Sequence, residues 1–269
     1  MAVGAVVGSA IGAALAQALK FDQGEWEAGI YGFNPTLVGI ATFFFFQLGV
    51  VSIGLMAVGC VVATLLTRAM RKHLPFPTYT TPFIVTTWAV FFLGRALGAE
   101  ATVLSGPLVP NLPLGYLLTS VLHGIGQVMF QDSVWTGMFL LAGIAVSDRE
   151  HGGWVLLGSV VGMLVASYHV SVGADSIDPE RLIERARFDN IQLGLYGYNA
   201  TLAPVALFLR RRSLLAPLLG ILLAEPLTEL MPLLGLPALT APFVLATWIV
   251  LVLAWLEGRL FGPRSSPAN

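Results

Sequence analysis

The stretch GIYGFNPTLVGIA (residues 29–41) returns as GLYGYNATLAPVA (residues 194–206), with 7 of 13 positions identical. Further on, TTPFIVTTW (80–88) returns as TAPFVLATW (240–248), with 5 of 9 identical. The displacements are 165 and 160 residues. Two motifs repeated in the same order at nearly one displacement mean a duplicated unit. In a chain this apolar, duplication points to a transporter or channel whose pathway lies between the repeats.

Of the 269 residues, 56% are hydrophobic and only 11% charged, with a mean hydropathy of +0.81. A soluble domain carries about a quarter of its residues as Asp, Glu, Lys and Arg. Apolar runs near the bilayer-crossing length of roughly 20 residues recur throughout. They fall at 1–19, 29–46, 49–66, 82–97, 125–146, 154–170, 191–209, 214–223 with its continuation, and 239–256. The class is an all-α polytopic membrane protein. The net charge of −1 gives no electrostatic reason for a nucleic-acid partner. The one cysteine, Cys60, lies in an apolar run and reads as a small packing residue. The first run lacks a basic flank, and its Ala/Gly pattern suits a packed span better than a cleaved signal.

Basic loops test the direction of the two copies. Arg68, Arg71, Lys72 and His73 follow the third span, and the matching loop at 232–235 has no Lys or Arg. Arg210, Arg211 and Arg212 follow the second copy of the G-x-Y-G-[FY]-N helix, and the matching 46–49 has none. Complementary placement is what inverted repeats and the positive-inside rule require. With Arg259 and Arg264, this puts the C-terminus in the cytoplasm. The mixed-charge loop 171–190, with Arg181, Arg185 and Arg187, falls outside and runs against the rule. The expected division is a first repeat at 1–98, a Pro/Gly-rich linker at 99–113, a second repeat at 114–261 and a tail at 262–269.

The second half opens with HGIGQVMFQDSVWTG (123–137), an aromatic, helix-breaking stretch. Aligning Gly158 with Gly4 puts the counterpart of Gln127 before Met1. The first repeat is therefore expected to lack its opening segment.

These motifs resemble the urea transporter family over nearly the whole chain. The pieces are G-Q-V-x-F before a polar pair and T-G, G-[LI]-Y-G-[FY]-N-x-x-L in both halves, and L-P-x-x-T-x-P-F at 236–243. The resemblance implies two inverted repeats of about five helices each, with re-entrant half-helices around one pore per protomer, in a homotrimer of the inner membrane. It implies a second-half constriction of Gln127, Val128, Phe130, Tyr198, Leu202 and Thr240. The first-half constriction would use Phe33, Leu37 and Thr80, without a Gln-Val-x-Phe wall of its own, so that its mouth should be wide. Tyr198 stands where the family has phenylalanine.

Urea suits such residues. It is flat, neutral and polar, so its in-plane hydrogen bonds must be replaced while its faces tolerate apolar walls. Aromatic rings set a slot width, and amide, hydroxyl and free carbonyl oxygens accept the N–H groups in turn. Apolar Val128 and Leu202 deny an ion any counter-charge. No ion-coupling residue stands at either constriction, so passive conduction is the simplest mechanism. The alternatives are a conduction-impaired truncated subunit, or a channel for ammonia or short-chain amides.

Plainer readings compete at several positions. Asn34 and Asn199, beside glycines, read as pins for broken helix ends. Thr80 and Thr240 either line the path or merely satisfy carbonyls near Pro82 and Pro242. Phe33 and Tyr198 could be packing aromatics, were it not for the duplicated motif. Gln127 in an apolar stretch is costly unless it has a pathway role. Glu225 lies outside the motifs, and a structural bond in the bundle or trimer competes with function. The histidines lack metal-ligand spacing, and His123, Asp132 and Ser133 are the one tight polar cluster. Neither an enzyme nor a cofactor or metal is expected.

Overall fold

A computed structural model describes residues 1–102, 114–131, 133–173 and 196–261. Most of the expected linker, the loop 174–190, Asp132 and the tail with Arg264 lie outside them. The described residues form eleven helices: α1 (Ala2–Ala18), α2 (Gln23–Glu27), α3 (Ile30–Phe45), α4 (Val50–His73), α5 (Thr81–Ala96), α6 (Leu114–Gln127), α7 (Val134–Ser147), α8 (Arg149–Gly173), α9 (Gly197–Arg210), α10 (Leu215–Leu233) and α11 (Ala241–Phe261).

The packing repeats. Helix α3 touches α1, α4 and α5, and α9 touches α8, α10 and α11. Helices α1, α3, α4 and α5 thus correspond to α8, α9, α10 and α11. Helices α4 and α10 are long and apolar enough to cross a bilayer alone. At 16 residues each, α3 and α5 rise only about 24 Å, short of the roughly 30 Å of hydrocarbon. Large side chains such as Val50, Val146, Leu209 and Leu233 are exposed, as a lipid-facing surface allows.

Ion pairs tie helix ends within each copy. Arg71, near the end of α4, pairs with Glu25 of α2. Arg212, just after α9, pairs with Asp148 and Glu150 at the start of α8. Inverted repeats and the positive-inside rule would bring these two basic clusters to one face.

Glycines hold each first helix against its repeat motif. A Cβ on Gly8 would lie 2.3 Å from the Pro35 carbonyl oxygen, and one on Gly158 would lie 2.0 Å from that of Ala200. Pro35 and Ala200 are counterparts at the 165-residue displacement. Gly158 therefore corresponds to Gly8, one turn beyond Gly4, with which the sequence aligned it. Gly39 packs on Gly4 itself, its Cβ position 2.0 Å from the Gly4 carbonyl oxygen. That neighbour is backbone and cannot rotate away. Gly39→Ala should cost about 1–3 kcal/mol through forced separation of α1 and α3. The check is the thermal midpoint of detergent-purified protein, which should fall by several degrees.

The apolar run 125–146 is two helices, α6 and α7, and the break between them falls within the stretch 123–137 that the sequence marks as helix-breaking. Phe130 takes a positive φ of 57° there, and Gly126 sits against the Gln131 carbonyl, where a Cβ would lie at 2.7 Å. Two short helices meeting at a tight turn satisfy their own backbone groups, so the break is tolerated inside the bundle. Ser133 caps α7 by accepting from the Thr136 N–H, a structural task for one member of the polar cluster.

Candidate solute pathway

The T-x-P-F motifs start two helices inside the protein, and buried helix starts leave N–H groups without partners. Two asparagines supply them. Asn34 Oδ1 accepts from the Phe83 N–H at 3.2 Å, and Asn199 Oδ1 accepts from the Phe243 N–H at 3.2 Å. Their amide groups donate to Thr67 Oγ1 (3.2 Å) and to the Leu239 carbonyl (3.1 Å) respectively. Both asparagines are buried and act as helix-end pins.

This releases the threonines. Thr80 occupies the cap position of α5, yet its side chain makes no capping bond. The second helical residue, Pro82, has no N–H to offer, and the N–H of the third is taken by Asn34. The hydroxyl turns inward instead and meets Thr240, with Oγ1 to Oγ1 at 2.7 Å. Residues just before the threonines, Tyr79 and Leu239, hold positive φ values of 44° and 46°. That conformation is uncommon for residues other than glycine and makes the reversal that aims each hydroxyl.

Thr80 and Thr240 are counterparts, and a residue that touches its own counterpart lies on the axis relating the repeats. Indole hydrogen bonds repeat the relation. Trp88 Nε1 donates to the Pro237 carbonyl at 2.8 Å, and Trp248 Nε1 donates to the Pro77 carbonyl at 2.9 Å. These reciprocal contacts put the threonine pair at the junction of the two repeats.

A cavity of about 520 Å³ opens onto this pair. It gathers six of the nine residues expected of the pathway: Phe33, Leu37, Thr80, Val128, Leu202 and Thr240. Phe33 is 52% exposed. Gln127, Phe130 and Tyr198 are not in its wall. Gln127 is buried at the end of α6 and Tyr198 is buried on α9. Phe130 lies against the first repeat, its ring 5.0 Å from Phe44 and 6.2 Å from Phe83.

The cavity wall also holds Thr67, Arg71, Thr78 and Tyr79, which the sequence reading did not place there. Thr67 and Arg71 are one turn apart on α4, a spacing compatible with one face. Arg71 was legible only as a topology marker. Arg71 donates from Nε and Nη2 to Glu25 Oε1, and the Tyr31 hydroxyl donates to Glu25 Oε2. Hydrogen bonds from Arg71 and Tyr31 hold the Glu25 carboxyl below its ordinary range. A lowered acid pKa means that the pair persists above the ordinary value and is lost only as pH falls through the lowered one.

Glu225 has no place in this path. It is buried on α10, and neither carboxylate oxygen has a hydrogen-bond partner among the described residues. A Cβ on Gly162 of α8 would lie 2.7 Å from its Oε1.

A family model described as "Urea transporter" matches residues 1–255. Among curated proteins, urea transporter 1 of Ovis aries is 26% identical over 97% of this chain and 70% of its own length. Urea transporter 1 of Mus musculus is 27% identical over 95% of this chain and 68% of its own length.

Proposed function

The chain belongs to the urea transporter family, and from that premise we propose that urea moves passively through the cavity and past the Thr80–Thr240 pair. It is a polytopic membrane protein whose family transports a solute and does not transform it. The observation that carries the pathway is the hydrogen-bonded pair of hydroxyls at the floor of the cavity.

Each hydroxyl accepts an N–H and is free to rotate, so the pair can exchange its mutual bond for bonds to a solute. Leu37, Leu202 and Val128 provide apolar walls, which are neutral to the solute's faces and offer nothing to a desolvated ion. Phe33 flanks the wide side. Gln127, Phe130 and Tyr198 form the narrower slot beyond, with the Gln127 amide oxygen as the next acceptor. Formamide and acetamide carry the same amide N–H groups, and the open first-half side admits them as well. The pore repeats in a homotrimer in the inner membrane, with the Arg71 and Arg210–Arg212 face in the cytoplasm. Neither cofactor nor nucleic acid takes part.

Stopped-flow light scattering on proteoliposomes tests the mechanism. Urea flux should exceed that of protein-free vesicles and follow the urea gradient alone. Flux that vanishes when sodium and proton gradients are collapsed would refute passive conduction.

A further inference from the structure

We propose that Arg71 forms an outer binding site for the carbonyl oxygen of urea at the cavity mouth, an inference that rests on the urea pathway above. Arg71 stands in the cavity wall with its side chain 37% exposed. Its Nε and Nη2 are engaged by Glu25 Oε1, and its Nη1 has no partner among the described residues. Glu25 is itself fixed by the Tyr31 hydroxyl, and its backbone N–H donates to Asp22 Oδ1. The guanidinium is therefore held in one orientation.

Two properties follow. Glu25 balances the charge, so the mouth offers hydrogen bonds without drawing in anions. The free edge of the guanidinium is a rigid planar donor, which suits a carbonyl oxygen better than a mobile ammonium would. Deeper in the cavity the polar groups are of another kind. Thr67 stands one turn, about 6 Å, along α4, and the Thr80–Thr240 pair forms the floor. Hydroxyls accept N–H groups. Donors at the mouth and acceptors below orient urea with its carbonyl outward and its amino groups leading.

At the equivalent position the second repeat has no such group. Gly59 packs on Val38 and Gly220 on its counterpart Ala203, which sets α4 against α10 at a displacement of 161 residues. Arg71 then corresponds to Pro232, which has no side-chain donor. Capture belongs to one face.

The test is uptake of labelled urea by proteoliposomes of the full chain over a range of concentrations. Arg71→Gln should raise the half-saturating urea concentration several-fold and leave the maximal rate within about two-fold. It should also weaken the preference for urea over thiourea, whose sulfur is a poor acceptor. Glu25→Gln loosens the same loop contact but keeps the guanidinium, and should retain that preference. Arg71→Lys keeps the charge without the planar fork and is read if Arg71→Gln does not insert. Wild-type half-saturation and preference in the Arg71 variants would overturn the site. So would equal effects in the Arg71 and Glu25 variants, since Arg71 would then only tie down the loop. Wild-type vesicles no faster than protein-free ones would instead overturn the urea pathway itself.

Discussion

A Thr80→Val, Thr240→Val double variant should fold and assemble normally yet conduct urea at least about ten-fold more slowly than the wild type. The two effects separate because they depend on different states. In the resting protein each hydroxyl satisfies the other, and replacing both partners of a hydrogen bond by groups of similar shape is nearly neutral for stability. On the pathway proposed above, urea reaches the pair without its water, and the hydroxyls are its acceptors there. An unmade hydrogen bond in such a place costs about 1–3 kcal/mol, and each 1.4 kcal/mol on the barrier is about ten-fold in rate. Flux normalised to inserted protein provides the measurement. Wild-type flux through a well-assembled double variant would take the pair out of the pathway. The single variants should differ from it by being less stable, because each leaves one buried hydroxyl alone.

Asn199→Leu should have the larger effect on the fold. Leucine keeps the branching of asparagine but is bulkier, so overpacking at this fully buried position adds to the loss. It removes the acceptor of the Phe243 N–H and the donor to the Leu239 carbonyl, and both groups are then buried without partners. At about 1–3 kcal/mol each, the loss takes a large share of a typical stability of 5–15 kcal/mol. The start of α11 should detach and withdraw Thr240 from Thr80, so flux and thermal stability fall together. Size-exclusion profiles after heating give the readout. A variant that keeps the wild-type midpoint would show that Asn199 is not what anchors α11. Asn34→Leu should follow the same pattern at α5, since Asn34 accepts from Phe83 in the same geometry.

Much of this was legible because duplication writes the same constraint twice. An asparagine in an apolar helix is expensive unless paired, and it stands at both copies of one motif, so its pinning role could be read before any contact was known. Hydropathy revealed the helical membrane class, since it depends on local composition against a bilayer. The break inside the apolar run 125–146, which Gly126 and the positive φ of Phe130 create, was legible in the aromatic, Gly-containing stretch 123–137 and not in the hydropathy, because a hydropathy window records solvent preference and not backbone direction.

What the sequence by itself determined was the class, the repeat and the polar residues too costly to be idle. Tertiary structure decided register and partnership. The pattern Gly4, Gly8, Gly12 repeats every four residues, so sliding it by one turn leaves nearly the same small-residue face. Only the contact of Gly158 with Ala200 selects Gly8 as its counterpart. Likewise no local signal tells Thr80 that its partner lies 160 residues away, or that Arg71 lines a cavity while pairing with Glu25. Those facts depend on where two helix starts and one helix end come to rest, and only the packing of the whole bundle fixes those positions.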